Sequence, residues 1–106
     1  MIKTVLTMKP APGKTSDLVE LFRRESIIDK ALSVEGCRNV EVLASDFEVL
    51  IAATWDDDDA YERWLAHPER NAKNGELNDL LVEPITASTS GRHYEVALAG
   101  FQQGTS

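Results

Sequence analysis

Glu48-Val49-Leu50-Ile51-Ala52-Ala53-Thr54-Trp55 is the stretch on which the fold turns. It reads as a strand that is apolar almost throughout, and a strand apolar on both faces must be covered on both faces. Just upstream, Ser45-Asp46-Phe47 is a short connection of the kind that closes a hairpin. Before that connection, residues 37–44 form a second strand with Val40, Val42 and Ala44 on one face.

Further toward the N-terminus, residues 2–9 alternate: Ile2, Thr4, Leu6 and Met8 share one face, while Val5 and Thr7 lie on the other. Pro10-Ala11-Pro12-Gly13 ends that strand, because proline cannot donate to a ladder and glycine permits a sharp turn. Thr15 or Ser16 then caps a helix, with Asp17 in the dipole-favoured first turn. Leu18, Leu21, Phe22, Ile28 and Leu32 form its apolar stripe, and it ends before Glu35-Gly36.

Downstream of the central strand, Asp56-Asp57-Asp58-Asp59 opens another helix, with Asp56 as the expected cap. Ala60 and Trp64, joined by Tyr61 and Leu65, make its buried side, and His67-Pro68 breaks it. A further helix is expected to start at Asn71, to carry Leu77, Leu80 and Leu81, and to stop at Pro84. After a small, polar linker at 86–91, residues 92–99 read as the last strand, with Tyr94, Val96 and Leu98 alternating against His93, Glu95 and Ala97. Residues 1–100 are expected to be one domain and 101–106 a mobile tail.

The order β-α-β-β-α-(α)-β is ferredoxin-like: an α+β fold with a four-stranded antiparallel sheet. Helices from the chain cover one sheet face. No segment is left for the other, so a second copy is expected to supply it through a two-fold homodimer.

Composition narrows the function classes. Lys plus Arg number 11 against 18 Asp plus Glu, a net charge of −7, whose sign opposes nucleic acid and anionic membranes. Apolar residues at 42% and charged residues at 27% are ordinary for a folded domain. One cysteine, Cys37, excludes an intrachain disulfide, and the N-terminus shows no leader pattern, so a cytoplasmic setting is expected.

Four pieces in order, Lys9-Pro10-Ala11-Pro12-Gly13-Lys14, Glu35-Gly36-Cys37, Ala53 through Tyr61, and Leu81-Val82-Glu83-Pro84, make residues 2–98 resemble the antibiotic-biosynthesis monooxygenase family of dimeric α+β barrel proteins. That resemblance implies a dimer, and, in the quinone-forming branch, oxygenation of an aromatic by dioxygen without metal, flavin or other cofactor. The branch builds its site from an asparagine, a tryptophan, a tyrosine and an arginine. Trp55 matches the tryptophan and Tyr61 the tyrosine; the asparagine position is Ile51, and the arginine position falls near Gly75, with Arg70 and Lys73 close by. In the haem-degrading branch Trp64 matches a site tryptophan, but its histidine position is Asn74 and the first strand holds no asparagine. Haem degradation is therefore not expected.

Each candidate has a plain structural role beside its chemical one. Trp55 and Trp64 either fill the core or wall an aromatic pocket, and Tyr61 either packs its helix or hydrogen-bonds a phenol. His67 either caps its helix end or accepts a proton; His93 has the same choice on the last strand. Trp55, Tyr61 and His67 are the expected catalytic set, with Ile51, Trp64, His93 and Thr7 in the substrate pocket. No metal site is expected, since the aspartate run matches no calcium loop and suits a solvated helix start. Cys37 reads as a buried structural thiol. The function expected is a cofactor-independent monooxygenase acting on a small electron-rich aromatic such as an anthrone or hydroquinone. A non-catalytic metabolite-binding or stress protein and an aldehyde-processing isomerase of the same fold are the alternatives.

Overall fold

The computed structural model describes residues 1–67, 74–82 and 90–100. Eight elements follow one another: β1 (Ile2–Met8), α1 (Thr15–Arg24), α2 (Ile27–Leu32), β2 (Cys37–Ala44), β3 (Val49–Trp55), α3 (Asp58–Leu65), α4 (Asn74–Asp79) and β4 (Ser90–Glu95). The strands form one antiparallel sheet in the order β2-β3-β1-β4, the ferredoxin-like arrangement. Expected stops at Pro68 and Pro84, the helix start at Asn71, Arg70, Lys73, most of the 86–91 linker and the 101–106 tail lie outside the described residues.

Register sets what shares a face. Ile2 pairs with Trp55, Thr4 with Ala53, Leu6 with Ile51 and Met8 with Val49, so all eight project toward the helices. Val40 and Val42 join them across β2–β3. Two buried clusters result. Met8, Leu18, Leu21, Phe22, Val49, Leu77 and Leu81 form one; Ile2, Val34, Ala53, Trp55 and Ala60 form the other. Along the opposite face run Val5, Leu50 and Ala52 with Leu43 and Tyr94, the last two exposed. The apolar character of β3 on both faces is therefore real, and among the described residues the helices cover one of them.

The first helix departs from its expected continuity. Ser26 adopts a left-handed conformation (φ 54°), which interrupts the helical ladder and divides the segment into α1 and α2. The interruption resets the phase, so Ile27 and Ala31 reach the core while Leu32, expected in the stripe, is 44% exposed. Neither Thr15 nor Ser16 caps α1; its cap position is Lys14, with no side-chain bond. At α3 the cap is Asp57, one residue beyond the expected Asp56, and its carboxylate accepts from the Ala60 N–H at 3.0 Å. Asp56 is engaged elsewhere, by the Arg38 guanidinium and through its own N–H to the Gly36 carbonyl at 2.8 Å.

β4 also differs from expectation, starting at Ser90 and ending at Glu95. Val96 donates to the Met1 carbonyl at 3.0 Å just past the strand end. Leu98, expected within the strand, is 95% exposed.

Candidate functional site

Between the sheet and the helices, where the two apolar clusters meet, lies a cavity of about 100 Å³. Thr4, Leu6, Ile51 and Ala53 form its sheet wall; Phe22, Ile27 and Ala31 close one side, Tyr61 and Trp64 another, and Leu77 reaches in from α4. Trp55 ends β3 at the cavity edge with 1% of its surface exposed. A buried indole N–H needs an acceptor, and here it donates to the Thr4 hydroxyl oxygen at 3.0 Å. That bond fixes the ring plane, leaving the indole as a rigid wall.

Aromatic contacts spread outward from this wall. The Trp55 and Tyr61 centroids are 5.6 Å apart at 54°, and the Tyr61 ring meets His93 edge-on at 5.9 Å and 74°. Both geometries are favourable for aromatic pairs. His93 lies directly across from Thr4 in the β1–β4 register, hence on the helix side of the sheet. Its Nε2 is 2.9 Å from Asp58 Oδ1 at the start of α3. Asp58, Tyr61 and Trp64 fall on one side of α3 by helical spacing; the phenol and the indole line the cavity, and the exposed carboxylate stands outside it beside His93.

Of the residues expected at a site, Trp55, Tyr61, Ile51 and Trp64 line the cavity. His93 borders it through Tyr61. His67 stands apart from the lining, its ring against Trp64 at 5.5 Å, just past the end of α3. Thr7 is not among the lining residues: strand alternation puts it on the face of Val5, opposite Thr4 and Leu6. Sequence reasoning missed Thr4 and Asp58. A threonine alternating with Ile2, Leu6 and Met8 is a buried hydroxyl in need of a partner, which is a usable signal for Thr4. Nothing local distinguishes Asp58 from its three neighbours.

The aspartate run, expected as a solvated helix start, is differentiated by tertiary contacts. Asp56 meets Arg38, Asp57 caps α3 and Asp58 meets His93. Among the described residues no three His, Cys, Asp or Glu side chains are grouped to hold a metal ion, and no helix is long and apolar enough to cross a membrane. Cys37 is half-buried beside the second cluster, and its burial pushes the thiol above the usual thiol range.

A single four-stranded sheet with helices on one face, and an aromatic cavity between the layers, defines a small ferredoxin-like α+β protein. The family model for antibiotic biosynthesis monooxygenase matches residues 1–73, and the chain belongs to that family. Solved structures share the fold at low identity. A putative antibiotic biosynthesis monooxygenase from Deinococcus radiodurans is 21% identical with a TM-score of 0.74, covering 98% of this chain and 100% of its own. Rv0793 from Mycobacterium tuberculosis is 17% identical with a TM-score of 0.69, covering 98% of each chain. SnoaB, a cofactor-independent oxygenase from Streptomyces nogalater solved as a point mutant, is 17% identical with a TM-score of 0.71, covering 92% of this chain and 94% of its own. No curated protein sequence matches the chain significantly.

Proposed function

We propose that this protein is a cofactor-independent monooxygenase that converts a small phenol or hydroquinone-type aromatic to a quinone, using dioxygen, in the cytoplasm. The observation that carries this reading is the cavity itself: two indoles and a phenol around an apolar floor, with the Trp55 N–H already committed to Thr4. Such a pocket holds a planar ring and leaves few polar groups to compete with the reacting centre. Membership of the family and the fold shared with SnoaB support the oxygenase class.

The chemistry balances without an added reductant. A phenol and dioxygen give a para-quinone and water: one oxygen atom joins the ring carbon, the other leaves as water, and the substrate supplies all four electrons. A deprotonated ring gives up the first electron far more readily than a neutral one, so the protein's task is to favour the phenolate and keep bulk water away. Trp55 and Trp64 would sandwich or edge the ring, the Tyr61 hydroxyl would hydrogen-bond its oxygen, and one of the two histidines, His93 or His67, would take the proton. Ile51 would set ring position by contact.

Size refines the substrate. At about 100 Å³ the partly open cavity is smaller than an enclosed site of about 150 Å³ that takes benzene. That weighs against the fused rings of an anthrone and asks a single ring to reach into its mouth. The uncovered sheet face with Val5, Leu50, Ala52, Leu43 and Tyr94 supports a homodimer in which a second copy covers it, with Thr7 then at that interface rather than in the pocket. A non-catalytic binder of a small aromatic is the second reading, favoured by Ile51, which offers an alkyl group where the resemblance calls for an amide.

Oxygen uptake by metal-free protein with a panel of monocyclic hydroquinones and phenols tests the proposal, alongside Tyr61→Phe and Trp55→Phe. Uptake above the spontaneous rate, one dioxygen per substrate and reduced in both variants, is expected. Binding of the panel without any uptake would transfer the assignment to the non-catalytic reading.

A further inference from the structure

Two titratable side chains stand beside the cavity without a role in its packing: His93 on β4 and Asp58 at the start of α3. Neither is buried, with side chains 48% and 70% exposed, so burial of apolar surface does not account for the contact. Yet the imidazole is held at both its nitrogen and its ring. Nε2 meets the Asp58 carboxylate at 2.9 Å, and the ring plane is set edge-on against Tyr61, itself tilted on Trp55. The tautomer follows from the carboxylate: a proton on Nε2 is the one that Asp58 can accept, which leaves the lone pair on Nδ1. Among the described residues Nδ1 has no hydrogen-bond partner.

We infer that His93 is the proton acceptor of the cavity and that Asp58 is its positioning residue, acting on the hydroxyl of a monocyclic phenol seated against Trp55 and Tyr61. This step deepens the oxygenase reading and rests on it only for what happens to the phenolate afterwards. The phenol O–H bond breaks, its proton passes to Nδ1, the electron pair stays on the phenol oxygen, and the imidazolium is stabilised by the carboxylate at Nε2. Neither histidine is a lining residue; His93 is favoured over His67 because its ring touches Tyr61, the phenol that would share the substrate oxygen, and its Nε2 faces a carboxylate.

Asp58 and Tyr61 approach His93 from α3, Glu95 lies two residues along β4 on the same side, and the facing positions of β1, Ile2 and Thr4, carry no charge. Arg92, the neighbour of His93 on β4, is a lining residue and brings a cation to the same cavity.

4-Nitrophenol tests the pair without requiring oxygenation, because only its ionised form absorbs strongly in the visible. The bound amount is fixed by equilibrium dialysis, and the ionised fraction of the bound probe is read by absorbance at a pH below the point where the free probe ionises. In the wild type that fraction is expected to exceed the free value about tenfold, equivalent to roughly one unit of pKa. His93→Gln should return it to the free value with binding retained, and Asp58→Asn should lower it about threefold, the scale of an exposed ion pair. A purely structural contact would alter binding or folding but not the ionised fraction per bound probe. Equal ionisation in wild type and His93→Gln would overturn the inference, as would a cavity that takes up no probe. Ionisation that depends on His93 in a protein showing no oxygen uptake would leave the pair standing and remove the oxygenase reading alone.

Discussion

Replacing Gly36 with alanine should damage the fold through two separable effects. Gly36 sits at φ +92°, between the Val34–Glu35 turn and β2, where a side chain is strained whatever the space around it. That conformation costs an L-residue about 1–3 kcal/mol. A Cβ there would also lie 2.6 Å from the Ala60 Cβ, whereas carbon atoms rest at about 3.5–4.0 Å. Either side must therefore yield by about 1 Å. Ala60 has no freedom to do so, being fully buried at the start of α3 with its N–H on the Asp57 cap. The same corner is tied by the Asp56 N–H to the Gly36 carbonyl and by Arg63 Nη1 to the Glu35 carbonyl, both at 2.8 Å. Overpacking of this kind costs about 1–3 kcal/mol. Together the two effects reach about 2–6 kcal/mol, a large part of the 5–15 kcal/mol that typically holds a domain together. Urea unfolding followed by tryptophan fluorescence, at one protein concentration because association would add to apparent stability, measures the loss. Ala60→Gly in the same chain should remove the clash and leave the backbone strain, so the double-mutant cycle should show a favourable coupling of about 1–3 kcal/mol. A Gly36→Ala protein within about 1 kcal/mol of the wild type, or a cycle with no coupling, would refute the reasoning, since 1 kcal/mol is what an ordinary surface change costs at most.

Thr4→Val keeps the shape and removes the acceptor of the Trp55 N–H; it should cost about 1–3 kcal/mol, the penalty of a buried unpaired donor, and loosen the indole as read by near-ultraviolet circular dichroism. Asp57→Ala should lose the α3 cap and about 1 kcal/mol, while Asp56→Ala, at the position expected from sequence, should leave helix capping intact; urea midpoints of the two compare them directly. Cys37 should resist iodoacetamide near neutral pH in the folded protein relative to the same protein in urea, because burial raises its pKa and the thiolate is the nucleophile. The linked effect on stability has a definite sign: a thiol whose folded pKa is raised lets the unfolded chain ionise first, so stability is full below about pH 8.5 and declines as pH rises past it. Cys37→Ala should flatten that alkaline decline.

What the sequence determined by itself was the set of elements and their faces. The alternation of Ile2, Thr4, Leu6 and Met8, and the unbroken apolar run of β3, are local periodicities that act before any tertiary contact forms. From them came the order of elements along the chain and the four-stranded ferredoxin-like class, and Trp55, Tyr61, Ile51 and Trp64, which line the cavity, were named on the same basis together with the family resemblance. Where only tertiary structure decided, a residue's partner lay far along the chain. Trp55 and Thr4 are 51 positions apart, and no pattern links an indole donor to a hydroxyl at that distance. Four consecutive aspartates are interchangeable as sequence, yet Arg38, the α3 amides and His93 give Asp56, Asp57 and Asp58 three different tasks. The break at Ser26 has the same origin: helix phase was set by what the core could accept, and local propensity is too weak to oppose it.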